Sequence, residues 1–507
     1  MSELLYQYQK VNPISWAYLS SFLMIALYFK FNRFWSVRNL DLVLMILLAP
    51  GLLLVQSGRQ RMAQAELTAR QTAAQPAAVD KNHEPPPNLA DAPPSEISGQ
   101  PMPPAAEKPP LEKQPLLAKG KAIAWRGYVW LFAVSALWLV RMLFDPTMVR
   151  RPLLEPNLTN GGLLFIGCSL FIFLMANVVV SDVAVEDLAG PAGARAILMG
   201  ADSSQTDAPV EDYTQRGPGY YALHLLPGII TTPYAIPDDQ PDQKNLGFVA
   251  AAKVMAILSH FAVVSAMIFI GYWHFENVKM GIGAATIYLL LPYTAQMTGH
   301  VDHVLPAALL LWAIVLYRRP ALAGALIGLA MSVFYYPFFL LPLWLSFYWQ
   351  RGVTRFVSGL LTALGLMVIS LLFVSSDLHS FWAKIQPMFG LWVPKTAGLS
   401  GVWALGWDPA YRLPVIVTCV ILGGSMALWP AQKNLGTLLS CSAAIMIAIQ
   451  FWHGHGFGGG MYLAWYMPLL LLTVFRPNLE DRVALTVLGE DWFTRRRARL
   501  AQFERAA

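Results

Sequence analysis

The sequence predicts an all-α fold, a polytopic transmembrane helical bundle with about thirteen spans (a range of about eleven to fourteen). Three observations predict it. Of the 507 residues, 56% are hydrophobic and only 13% are charged, about half the charged share of a soluble domain. The apolar residues fall into blocks of about 15 to 25, the length a helix needs to cross a hydrocarbon layer of roughly 30 Å. Alternating apolar and polar strands, the mark of a membrane barrel, are absent. Lipid offers no partner to free backbone groups, so helices remain as the spanning structure.

Residues 1–55 hold two blocks, 14–29 and 40–55, and read as an N-terminal membrane hairpin. No small-residue cleavage site follows the first block. Lys30, Arg33 and Arg38 follow instead, so it reads as a retained anchor. Residues 56–121 read as a Pro/Ala-rich disordered linker, with twelve prolines between Pro76 and Pro115. Such a stretch buries too little apolar surface to offset its conformational entropy. Residues 122–476 form the polytopic core. Its blocks are 123–140, 161–180, 247–270, 280–297, 303–317, 320–335, 336–349, 356–374, 412–429, 435–451 and 461–475, with 320–335 and 336–349 short enough to form one bent hairpin. Residues 477–507 read as a basic cytoplasmic tail, opened by Asn478 as N-cap and suited by its arginines to anionic lipid.

Orientation follows from lysine and arginine in the short loops. An extracytoplasmic N-terminus puts Lys30, Arg33 and Arg38 inside, then Arg141, Arg150 and Arg151, Lys279, Arg318 and Arg319, Arg351 and Arg355, Lys433, and the arginine-rich tail. The opposite face receives the large outer loop 181–246, with ten acidic residues against Arg195, Arg216 and Lys244. The expected location is therefore the cell inner (plasma) membrane, multi-pass, with a cytoplasmic C-terminus. The net charge of +6 is a topology signal, and no nucleic-acid partner is indicated. Membrane lipid is the partner the composition requires.

The residues that could carry chemistry gather on the outer side. Asp182 ends the span 161–180, with Asp187 about a turn further on. A carboxylate held partly desolvated at that depth can act as a general base. The alternative is a solvated acid that merely ends a helix. His300, Asp302 and His303 crowd an outer loop too short to leave the interface, where polar groups tend to be functional. The spacing sets His300 and His303 on one helical face, for a phosphate, an acceptor or a metal. The plainer alternative is an interfacial turn solvated by headgroups. His453 and His455 sit in a glycine-rich outer loop. Arg216 heads a half-apolar surface stretch. Lys253, near the end of a span, either snorkels outward or lines a cavity.

No metal site is assigned, since a His-x-His pair supplies two ligands and no third. Cys168, Cys419 and Cys441 all lie in apolar blocks, which indicates neither a disulfide framework nor a thiolate site. No cofactor is identified. Phosphate-cradling glycine loops, serine elbows and His-Glu-x-x-His are absent.

Several pieces taken in order resemble the GT-C fold superfamily of polytopic membrane glycosyltransferases, mannosyltransferase-like enzymes that use polyprenyl-phosphate sugars. They are Ser181-Asp182 with the long loop to Asn245, then Gly299-His300-Val301-Asp302 opening a helix. The run from Arg319-Pro320 through Ala323-Gly324 and Gly328-Leu329-Ala330 leads to Pro337 and Pro342, and Tyr462 to Pro468 closes the body. The resemblance covers roughly residues 161–476. It implies inverting transfer from a polyprenyl-phosphate-linked sugar donor to an extracytoplasmic acceptor, with Asp182 as the base and Asp187 second. Members commonly carry a lysine before the first of those prolines, and here Tyr335 and Tyr336 stand there. Donor-phosphate binding then falls to Arg216, His300 or His303, or is absent. The alternatives are a transporter or flippase of a lipid or polysaccharide precursor, and a non-catalytic scaffold of the envelope.

Overall fold

In the computed structural model the structure describes residues 12–74, 113–148, 154–199, 216–231, 245–375, 377–389, 399, 401–405, 407–453 and 462–477. Every regular element among them is helical. Five helical stretches are long and apolar enough to cross a membrane: Val37–Thr68, Leu116–Thr147, Asn160–Val180, Leu246–Trp273 and Val353–Leu372. Seven shorter apolar helices accompany them. These helices mark a membrane protein.

The chain opens with α1 (Pro13–Tyr28), whose first turn is capped by Asn12 accepting from the Ile14 amide, with Pro13 at the position where its missing donor costs nothing. Next come α2 (Val37–Ile46) and α3 (Leu48–Ala74), then α4 (Lys113–Phe144). The linker expected over 56–121 is therefore helical at both flanks, and only 75–112 lies outside the described residues. Counting prolines drew that boundary too wide, because the flanks 56–74 and 113–121 carry a single proline, Pro115, within the first turn of α4. Helices α3 and α4 pack closely through glycines. A Cβ at Gly58 would meet Ala124, and one at Gly127 would meet Val55.

The N-terminal helices pack directly on the core. The Tyr28 hydroxyl donates to the Gly283 carbonyl at 3.0 Å, and Trp16 stacks on Phe173 at 5.5 Å. A buried ion network binds the same region to the far end of the chain. Arg141 of α4 pairs with Asp41 at 2.9 Å and Asp145 at 3.2 Å, and Arg476 pairs with Asp145 at 2.6 Å.

After α5 (Asn160–Val180) come α6 (Val185–Met199), α7 (Pro218–Leu223) and α8 (Leu225–Thr231). The central layer is α9 (Asn245–Trp273), α10 (Val278–Leu290), α11 (Pro292–Gln296) and α12 (Val301–Val315). The sequence block 280–297 splits at Pro292, which cannot donate to continue the helix before it. Then follow α13 (Pro320–Val333), a tight turn at Tyr336–Leu340, α14 (Leu341–Tyr348), α15 (Val353–Val374), α16 (Leu378–Phe389), α17 (Arg412–Ser425), α18 (Leu435–Gln450) and α19 (Met467–Phe475). Helices α10, α12, α18 and α19 are buried nearly throughout and form the core on which the site rests.

Candidate functional site

Helix α5 ends where the Ser181 amide bonds the Asn177 carbonyl at 2.9 Å and the chain turns extended. That turn projects Asp182, which stands exposed. Helix α6 then starts with Glu186 and Asp187 in its first turn, where the aligned peptide dipoles favour negative charge. Helix α12 repeats the device with Asp302 in its own first turn, directly after His300. These two acid-bearing helix starts meet across His300, whose Nδ1 lies 2.8 Å from Asp187 Oδ2.

Arg216 is delivered from the other side. Its neighbour Gly217 donates to the Val333 carbonyl at 2.9 Å. A Cβ at Gly217 or Gly219 would overlap Ser332, so only glycine lets this segment seat on the end of α13. The guanidinium then lies over the Tyr220 ring at 4.8 Å, donates to the Glu186 carbonyl at 2.7 Å, and reaches Asp302 Oδ2 at 3.5 Å.

An aromatic layer supports this polar floor. The Tyr462 hydroxyl donates to Asp302 Oδ2 at 3.3 Å, and Trp465 Nε1 donates to the Asp302 carbonyl at 2.9 Å. His303 bonds the Tyr293 hydroxyl and stacks on Tyr462 at 4.2 Å. His453 stacks on the same Tyr462 at 4.7 Å and meets Tyr336, one of the two tyrosines before the first proline, at 3.4 Å.

Asp182, Asp187, Lys253 and His300 line one cavity of about 300 Å³. Lys253 is fixed at its wall by donating to the Val179 carbonyl at 2.7 Å. Arg216, Asp302 and His303 lie buried behind the cavity, and His453 is buried deeper, reached through Tyr462. His455 lies outside the described residues. Two expectations change in detail. His300 and His303 do not face one ligand together, since their rings are 5.5 Å apart but His303 turns into the core and only His300 reaches the cavity. The partly desolvated carboxylate is Asp187, at 2% exposure, while Asp182 is solvated.

Burial disfavours a charged His300, but the hydrogen bond it donates to Asp187 and the fields of Asp187, Asp302 and Glu186 outweigh it and raise its pKa. Burial raises the pKa of Asp187 against the pull of His300. Both shifts act alike: the pair holds protons to higher pH than either group alone. Burial likewise raises Glu186.

Sequence reasoning assigned no metal, yet Asp187, His300 and Asp302 bring donor atoms within 4.8 Å of one another. It also missed Tyr293, Trp465 and Tyr336 as supports, and the N-terminal contribution to the cavity from Trp16 and Gln56. No spacing rule reveals partners drawn from separate helices. Tyr462 carried a signal as the head of the run that closes the membrane body, and Tyr336 as one of the two residues standing where a lysine was expected. Compared with known proteins, the chain matches no family model and no curated protein sequence.

Proposed function

We propose that the chain is an integral membrane glycosyltransferase of GT-C type, with about thirteen spans, that moves a sugar from a polyprenyl-phosphate donor to an extracytoplasmic acceptor. The observation that carries this reading is the convergence of Asp182, Asp187, Lys253 and His300 on one cavity at the end of the apolar helix α5. Two acids and two basic groups so placed suit a reaction that removes a proton from a hydroxyl and releases a lipid phosphate.

In this reading Asp182, which lines the cavity although it is solvated, takes the acceptor proton as the acceptor oxygen attacks the anomeric carbon. The bond from that carbon to the phosphate oxygen breaks, and the polyprenyl phosphate leaves with the electron pair, so configuration inverts. Lys253 and protonated His300 offset the phosphate charge at the cavity wall, the task that a lysine before Pro337 would otherwise serve. Arg216 acts one layer back, holding Asp302 and the start of α6 in place. The site would face outward, with the C-terminus in the cytoplasm of a cell whose inner membrane houses the protein.

The transporter reading gains less support. His260, an ionisable group inside α9, is bonded at both ring nitrogens, to the Thr298 carbonyl at 3.2 Å and the Tyr288 hydroxyl at 3.0 Å. Such a ring is positioned as a structural tie.

The test is transfer from polyprenyl-phosphate sugars by membranes carrying Asp182→Asn. The expected loss is about 10²- to 10⁴-fold in turnover with expression unchanged. Transfer at the wild-type rate would remove Asp182 from the role of base.

A further inference from the structure

We propose that Asp187, His300 and Asp302 form a binding site for a first-row divalent metal ion. Their donor atoms lie within 4.8 Å of one another. Three ligands each about 2.1 Å from one ion stand at most about 3.6 Å from one another, so closing the gap takes a shift of up to about 0.7 Å per ligand, within reach of side-chain rotation.

Proximity alone would not distinguish a metal site from an acidic cluster. The independent observation is a pair of stranded oxygens. Asp187 Oδ1 and Asp302 Oδ1 are both buried without a hydrogen-bond partner, on residues only 2% and 5% exposed. Among the described residues, the hydrogen-bond and ion-pair partners of each carboxylate lie on its other oxygen. His300 occupies Asp187 Oδ2, while Arg216 and Tyr462 occupy Asp302 Oδ2. Buried carboxylate oxygens are normally satisfied, and two left over beside one imidazole are what a cation would fill.

The surroundings are built as metal sites usually are. The Asp302 carboxylate is oriented by the Tyr462 hydroxyl, the kind of outer partner that fixes a ligand's direction, while Trp465 holds its backbone carbonyl. Asp187 and His300 also line the cavity, so further coordination positions open toward it, where water or a phosphate oxygen completes the set. Two carboxylates with one imidazole suit Mn²⁺ or Zn²⁺ better than the all-oxygen shells of Ca²⁺ and Mg²⁺. With the ion bound His300 is neutral, since a ligating imidazole gives up its proton, and the ion in its place supplies the positive charge that a protonated His300 would otherwise offer at the cavity wall.

The experiment uses the purified full-length protein in detergent, stripped with chelator and given no sugar donor, so its result is independent of the transferase reading. Mn²⁺ binding is followed by loss of the free-ion paramagnetic resonance signal, and Zn²⁺ by the shift in thermal midpoint. One saturable equivalent of either ion is expected. Affinity should fall more than about tenfold, the lower end of what loss of even an outer partner costs, in both Asp302→Asn and His300→Gln. Glu155→Gln, an exposed acid away from the cluster, should retain it. His300 is half-buried, so His300→Gln keeps the test decisive if Asp302→Asn does not fold. No saturable binding of either ion, or full affinity in folded His300→Gln, overturns the proposal.

Discussion

His224 has a charge state set by packing. Its ring lies against Gly190, where a Cβ would collide with the imidazole, and its Nδ1 bonds the Tyr220 carbonyl at 2.7 Å. Burial pulls its pKa down to about 4, with Arg216 pushing the same way and the Tyr220 carbonyl resisting. The unfolded ring takes a proton near pH 6.5, so between pH 6.5 and 4 the unfolded chain binds a proton that the folded chain refuses. His224 therefore contributes stability above pH 6.5, and that contribution drains away as pH falls toward 4. Thermal midpoints of wild type and His224→Gln, compared from pH 7.5 to 4, should converge by the equivalent of about 3 kcal/mol. Parallel curves would show the ring is not the source. At this scale the sequence was informative about single polar residues at helix ends, such as Asp182, Asp187 and Asp302. It was silent on His224, because burial under α6 depends on how a six-residue helix folds back.

Helix pairing depends on where the backbones touch. Helices α13 and α15 approach so closely that a Cβ at Gly324 would overlap the Phe356 carbonyl and one at Gly359 would overlap the Ala321 carbonyl. Small residues at such contacts allow the close approach that holds helices together without a hydrophobic driving force. Gly359→Leu should force the pair apart and cost about 1–3 kcal/mol, read as a lower thermal midpoint in detergent. Gly365 lies on the same helix with open space where its Cβ would go, so Gly365→Leu should be near neutral. Equal loss in both variants would mean that the close contact with α13 does not set the effect, since leucine is the better helix former at both positions. The apolar blocks made most helices legible from sequence, since burial in lipid and burial in protein both demand apolar side chains. The same property hid the break at Pro292, inside the block 280–297, whereas the division between 320–335 and 336–349 was legible; it also gave no sign of the close α3–α4 pairing across the proline-rich stretch.

Two polar centres stand at opposite ends of the bundle. Helices α18 and α19 run between them, with Gln450 and Tyr462 at the cavity end and Gly436 against Arg476 at the other. The cavity end holds Asp182, Asp187 and His300. The far end holds the Arg141–Asp41–Asp145–Arg476 network. In the proposed reading the basic residues of the short loops would set that far end in the cytoplasm, and the acidic loop 181–246 would set the cavity on the opposite side. Sidedness is thus predicted for particular residues. In a background lacking Cys168, Cys419 and Cys441, Asp182→Cys should react with a membrane-impermeant maleimide only from the extracytoplasmic face. Trp349→Cys, replacing a side chain 72% exposed in the turn before Arg351, should react only from the cytoplasmic face. Right-side-out and inverted vesicles separate the two. Labelling of both positions from one side would place the cavity and the basic loops in a single compartment, and an outward-facing transfer site could not then be built on this fold.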